Sequence, residues 1–263
     1  MNNSFSPAHT QYLHHIKNSK RLVITIRILL AFIFILSWEL LTRFEIIDAF
    51  IFSSPTRIVK CFIELASDGT IFRHIGITVS ETLVCFLIVI GLGLIVAMIL
   101  WRFSTIFKIS EPYLVLLNSL PKSALAPLLI VWLGNNIKTI IVAAVSVGIF
   151  GAILSIYTAF METEPEKLKL MRTLGSTKRQ TLFKLIIPQS MPSIINTMKV
   201  NLGLSLVGVI IGEFLAAREG LGYMIIYATQ TFKMDWVLLS IVILCLLSIC
   251  LYQLINVLKG AFK

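Results

Sequence analysis

The chain has 263 residues, of which 57% are hydrophobic and only 14% charged, and its mean hydropathy is +0.91. A soluble domain carries about 25% charged residues, so the composition excludes a water-soluble fold, a disordered chain, a coiled coil and a disulfide-rich scaffold. The net charge of +10 reads as Lys and Arg gathered on the cytoplasmic side of a membrane protein, with no nucleic acid implied.

Residues 1–21 form a polar N-terminal tail. The tail and the stretch after it are not a signal peptide, because that stretch is too long and lacks a small-residue cleavage site. Six apolar stretches follow, at about 22–41, 77–100, 113–133, 137–160, 194–215 and 236–258. Each reaches the length of a membrane-spanning helix. The first holds fourteen Leu, Ile, Phe or Val residues, worth about −4 to −8 kcal/mol of insertion free energy. Arg27 and Glu39 lie near its two ends and reach the interface, so they cost less than a central charge. The third is interrupted by Pro121, Lys122 and Pro127. It is kept as an irregular span facing the bundle interior, where protein or a water-filled cavity covers the broken backbone. The fold class is therefore all-α: a polytopic membrane protein of six spans in one domain, 22–263.

Lys and Arg set the orientation. With the N-terminus inside, the inner connections carry 13 of them and the outer ones 6. Both termini are then expected in the cytoplasm of a multi-pass cell-membrane protein. Cys61 falls in an outer connection and is expected to react with water-borne thiol reagents unless folding buries it. Cys85, Cys245 and Cys250 lie in apolar runs and read as small packing residues.

The largest basic cluster, Lys167, Lys169, Arg172, Lys178, Arg179 and Lys184, falls in one cytoplasmic connection. Its start, 162–166, is acidic, with Pro165 suited to a first helical turn. Leu168, Met171 and Leu174 recur at three-residue spacing, and Gly175 then breaks the helix. A second amphipathic run has Leu182, Phe183, Leu185 and Ile186 apolar, and Pro188 is expected to end it. Two readings of this helix–glycine–helix segment compete. It lies on anionic lipid, or it docks into a groove of a cytoplasmic protein.

Gly175, nine residues, then Leu185-Ile186-Ile187-Pro188 resembles the glycine-to-proline part of the "EAA" loop of ABC importer permeases. Thr173-Leu174-Gly175-Ser176, Pro188-Gln189-Ser190-Met191-Pro192-Ser193-Ile194 and Gly212-Glu213-Phe214-Leu215-Ala216-Ala217 resemble the nitrate, sulfonate and taurine permease group. So do Glu219-Gly220-Leu221-Gly222-Tyr223, Ser53-Ser54-Pro55-Thr56-Arg57-Ile58-Val59 and Pro121-Lys122-Ser123-Ala124-Leu125-Ala126-Pro127-Leu128.

The resemblance runs from about residue 30 to the C-terminus. It implies a MetI-like permease with a coupling loop at 162–188 that seats in an ATPase subunit. Glu166, Leu174, Gly175, Ser176, Lys178 and Pro188 are the implied coupling residues. The family's EAA triplet falls here on Lys169-Leu170-Met171, so Glu166, one turn earlier, is the candidate for the acidic role. The implied partners are two ABC ATPase subunits, a second permease copy in a homodimer, an extracytoplasmic binding protein and membrane lipid. ATP and Mg are expected in the ATPase, and no cofactor or metal in this chain. No G-x-x-x-x-G-K-[ST] phosphate loop occurs, and the four histidines pair with no plausible nucleophile, so the chain is not expected to be an enzyme.

Glu213, near the outer end of the fifth span, is a candidate gate or path residue, or else a solvated carboxylate. Glu81, near the outer start of the second span, is a weaker candidate. Gly220 and Gly222 belong to an outer connection, 216–235, that reads as an ordinary turn or, by the resemblance, as part of the outer gate. Asn118 and Ser205, within spans, serve helix-to-helix hydrogen bonding or the translocation path. The expected cargo is a nitrate-, sulfonate- or taurine-like anion, with a thiamine precursor as the alternative. A stand-alone secondary transporter is the other functional class; it would need a coupling-ion site.

Overall fold

The computed structural model describes residues 7–261, and every regular element among them is helical. The chain divides into two units, 1–63 and 64–263.

In the first unit, α1 (Pro7–Arg43) takes up residues 7–21 of the expected tail as helix; residues 1–6 lie outside the described residues. Its stretch Arg21–Arg43 is long and apolar enough to cross a membrane. Leu22, Ile28, Phe32 and Phe34 on it are exposed, as on a helix that faces hydrocarbon. The sequence between Arg43 and residue 76, expected as a plain connection, holds two more helices. Asp48 caps α2 (Ala49–Phe52) by accepting from the Phe50 amide at 2.7 Å. Pro55 opens α3 (Pro55–Ser67), whose first turn is held by Glu39: the Thr56 amide and hydroxyl donate to its carboxylate at 3.1 and 2.8 Å. Glu39 therefore has a partner of its own besides the interface. Cys61 on α3 is buried at 6% exposure, so the expectation that thiol reagents reach it is withdrawn.

The second unit begins with α4 (Thr70–Arg102), α5 (Ser104–Ser119), α6 (Lys122–Leu133) and α7 (Ile137–Met161). It continues with α8 (Pro165–Thr173), α9 (Lys178–Thr181), α10 (Ile187–Ala216), α11 (Leu221–Gln230) and α12 (Met234–Ala261). Its centre is α10 packed on α7, with both packed on α4. Gly208 and Gly212, one turn apart on α10, permit that approach. A Cβ on them would stand 2.7 Å from the Ala144 Cα and 2.9 Å from the Ile140 Cα, which is the small-residue packing of membrane helices. Of the cysteines in apolar runs, only Cys85 is buried; Cys245 and Cys250 are exposed.

Among the described residues five helices are long and apolar enough to span a membrane, and α5 with α6 makes a sixth, bent by 83°. Pro121 supplies no amide at the break, and the Lys122 Nζ donates to the freed carbonyls of Leu117 and Asn118. Only half of the bent pair faces the bundle as expected: α5 carries no buried residue and packs chiefly on α7, while α6 packs on α7 and α10. Pro188 also departs from expectation. The helix from Lys178 does not stop there but runs on to Ala216. A π-helical turn, Leu182–Ile186, closed by the Ile187 amide on the Leu182 carbonyl, precedes it. Widening that turn relieves the clash between a proline ring and the carbonyl four residues earlier.

Candidate functional site

Two glycine-centred regions carry the candidate residues. In the first, Pro165 stands at the start of α8 and Glu166 in its first turn, both exposed. Gly175 takes φ +70° just past the end of α8. Its amide donates to Arg172 O at 2.9 Å and the Ser176 amide to Met171 O at 3.0 Å. This is the Schellman pattern, which satisfies the last carbonyls of a helix. Thr177 then caps α9 reciprocally with Gln180: the Thr177 amide donates to Gln180 Oε1 at 2.8 Å, and the Gln180 amide to Thr177 Oγ1 at 3.3 Å. The Ser176 and Thr181 hydroxyls lie 3.0 Å apart. Leu174, Gly175, Ser176 and Lys178 thus sit on one short, fully bonded turn.

The apolar residues of this segment divide between two sides. Leu182 and Ile186 pack into a core with Ile153, Ile156, Phe160 and Leu100. Leu170, Leu174 and Phe183 stay exposed, at 59%, 71% and 54%. A cavity of about 300 Å³, with Trp101, Tyr157, Phe160 and Leu168 on its walls and Arg172 and Lys178 among its polar lining, opens beside the turn. Pro188 is held apart from the turn, in the first turn of α10.

The second region is built round Glu213 on α10, which is 1% exposed. The expectation of a solvated carboxylate is therefore withdrawn. The Thr78 hydroxyl of α4 donates to Glu213 Oε1 at 2.7 Å, and the Gly222 amide of α11 to Oε2 at 2.6 Å. Thr78 Oγ1 in turn accepts from the Leu221 amide at 2.8 Å, and His74 Nδ1 from the Gly220 amide at 2.9 Å. One carboxylate and two side chains of α4 thus satisfy three amides at the start of α11, a helix N-terminus that favours negative charge. Glu219 pairs with Arg73 beside them.

Gly220 and Gly222 are more than a flexible turn. Gly220 takes φ +110°, and a Cβ there would collide with the Glu213 carboxyl group. A Cβ on Gly222 would stand 2.8 Å from Glu213 Oε2 and 3.0 Å from Ile210 O. Glu81, one turn from Thr78 on α4, is buried, and its Oε2 has no hydrogen-bond partner.

Asn118 and Ser205 are not among the hydrogen-bond partners of Glu213, which are Thr78 and Gly222. Ser205 is buried on α10 with its hydroxyl unpartnered, and the Asn118 side chain abuts Gly151. Thr78 and His74 carry no signal in the sequence, because their partners are about 140 residues away. Gly208 and Gly212 do carry one: two glycines four apart in an apolar helix.

The signature of the family described as "Binding-protein-dependent transport system inner membrane component" matches residues 89–262, which hold the turn at Gly175, Glu213 and the start of α11. The chain belongs to this family. The permease is 29% identical over 223 residues to the formylaminopyrimidine transport permease protein ThiX of Halalkalibacterium halodurans, covering 85% of this chain and 88% of that one. It is 28% identical over 218 residues to the putative aliphatic sulfonates transport permease protein SsuC of Bacillus subtilis, covering 82% and 78%. The taurine transport system permease protein TauC of Escherichia coli is 21% identical over 220 residues, covering 81% and 80%. In fold, the permease matches the methionine ABC transporter MetNI with a TM-score of 0.66 at 17% identity, over 74% of this chain and 96% of that one. The expected fold class, the ABC importer permease identity and the multi-pass membrane setting hold. Family membership also sets aside the stand-alone secondary transporter.

Proposed function

We propose that this permease works as a homodimer, with the path between two copies, and that two ATPase subunits dock on its 162–188 segment. ATP and Mg bound by those subunits drive the cycle, and the permease itself carries no catalytic site. An extracytoplasmic binding protein delivers the cargo to the face that bears Gly220, and both termini lie in the cytoplasm.

The observation that carries the docking reading is the turn at Gly175. The amides of residues 174–177 are satisfied locally, yet Leu170 and Leu174 stay exposed, with Lys169, Arg172 and Lys178 close by in sequence. An apolar face on a rigid turn suits insertion into a protein groove. Attraction to lipid alone needs charge number rather than a shaped turn. Glu166, Leu174, Gly175, Ser176 and Lys178 form the docking surface; Pro188 acts through the π-helical turn that links this surface to α10. Glu213, Gly220 and Gly222 hold the outer connection on the bundle and act as the hinge of an outer gate. Ser205 and Asn118 are path candidates on α10 and α5.

The cargo is a small nutrient of the kinds named for the relatives, a sulfonate-like anion or a thiamine-precursor pyrimidine. Radiolabelled uptake with the cognate binding protein separates the two. Docking is tested by Ser176→Cys crosslinking to the cognate ATPase in sealed vesicles. A nucleotide-dependent adduct is the expected result. Crosslinks to lipid probes alone, under every nucleotide condition, would remove the docking reading.

A further inference from the structure

We infer that the cavity beside the Gly175 turn is a binding site for a phosphate ester with an apolar substituent, its anion held between Arg172 and Lys178. The inference rests neither on the docking reading nor on the cargo, since the exposed Leu170 and Leu174 are not among the walls of this cavity.

Charge gives the sign of the ligand. The cavity measures about 300 Å³, at the lower end of the roughly 300–1,000 Å³ usual for small-molecule sites. Among the described residues no Asp or Glu lines it, while Arg172 and Lys178 do. Arg172 stands in the last turn of α8 and Lys178 at the first residue of α9, so the two cations flank Gly175. Neither charged head has an ion-pair partner among the described residues, whereas Lys167, on the same helix as Arg172, is held by Glu164 at 2.9 Å. Two cations on one small cavity repel each other, and an anion between them replaces that repulsion with two attractions.

Donor geometry then selects phosphate. A guanidinium offers a planar fork that fits two oxygens of one phosphate, and an ammonium offers a point charge to a third. The Ser176 and Thr181 hydroxyls bond each other at 3.0 Å, so the Ser104 hydroxyl, at the start of α5, is a neutral donor left on the lining.

The rest of the lining says what the phosphate is attached to. Trp101, Phe160, Met161 and Leu168 make an apolar wall. Phe107 stacks on Tyr157 with ring centroids 3.6 Å apart and fixes the wall beside them. A bare phosphate leaves this surface in water, and an apolar substituent covers it. The cavity lies where α4 ends at Arg102 and α7 at Met161. That is the level at which spans leave hydrocarbon, where Trp gathers. A phospholipid headgroup and a soluble phosphate ester both meet these terms.

Occupancy has a mechanical consequence. The turn is closed by its own short-range bonds, but the apolar wall belongs largely to α4 and α7. A ligand held by Arg172 and Lys178 with its substituent on Trp101 and Phe160 ties the turn to those two helices and stiffens it.

Native mass spectrometry of the full-length permease in detergent, titrated with phosphatidylglycerol, tests the site. The expected result is a saturable adduct of one lipid per chain. Arg172→Gln with Lys178→Gln is expected to need at least about tenfold more lipid for half-occupancy. Lys169→Gln with Arg179→Gln, which removes the same charge from the same segment outside the cavity, is expected to bind like the wild type. Glycerol phosphate separates the two sources. An adduct lost to an equal concentration of it assigns the site to soluble esters, and one that survives assigns it to lipid; both keep the phosphate in the cavity. Amide exchange of a peptide covering 172–180 is expected to slow at least about threefold on saturation in the wild type and to stay level in the cavity variant. Absence of a saturable wild-type adduct with either probe overturns the inference even if a variant fails to fold. So does equal weakening in the two double variants, which would make charge number alone the cause.

Discussion

The turn at Gly175 and the seat at Gly220–Gly222 both depend on glycine, but for opposite reasons. At Gly175 a Cβ would meet nothing within 4 Å; the requirement is the positive φ alone. At Gly220 the φ is positive and the space is filled by Glu213, and at Gly222 only the space is at issue. The first turn is closed by bonds between residues no more than five apart in sequence; the second is closed by Thr78 and His74, about 140 residues upstream. A local turn of this kind tolerates movement of its surroundings, which suits a surface that transmits motion. The seat cannot change without changing the packing of α4, α10 and α11 together.

Gly220→Ala is the sharpest test of that contrast. It adds both left-handed strain and a collision with a buried carboxyl group, worth about 2–5 kcal/mol together. The thermal midpoint in detergent should fall steeply, and a midpoint like the wild type's would show that the seat yields. Glu213→Ala comes next. It strips the Thr78 hydroxyl and the Gly222 amide of a shared partner, at about 1–3 kcal/mol for each group left unsatisfied. Glu213→Gln, which keeps an acceptor, should cost less; equal loss in the two variants would mean that shape, not hydrogen bonding, matters there.

Gly175→Ala is expected to cost about 1–2 kcal/mol of local strain, with space for its methyl group. Its thermal midpoint should move little while uptake drops, and unchanged uptake would break the distinction between a local and a global turn. The smallest effect belongs to Thr177→Ala, which removes an N-cap worth about 1 kcal/mol. Faster amide exchange at Arg179 and Gln180, with none at Leu221, would confine the damage to the turn.

The two regions also differ in how far they could be read before folding. Pro165 at a helix start, the break at Gly175 and the amphipathic halves on either side all rest on neighbours within a few residues, and all were legible. The continuation past Pro188 was not. Proline ends a helix by local rules, and the π-helical turn that evades those rules is stabilised by packing Leu182 and Ile186 against Ile153, Ile156 and Phe160. The burial of Cys61 was equally hidden, and so was the outward placement of α5, which depends on the helix that lies alongside it.

Hydropathy and charge alone determined a membrane protein with spans close to those observed, because every backbone polar group in hydrocarbon must be satisfied inside its own helix. The turn motif and its flanking residues determined the family in the same local way. Tertiary structure decided what Glu213 does. A carboxylate near a span end reads the same in sequence whether it meets water, cargo or protein. Only the packing of α4 and α11 against α10 encloses it and brings Thr78 and the start of α11 to its oxygens.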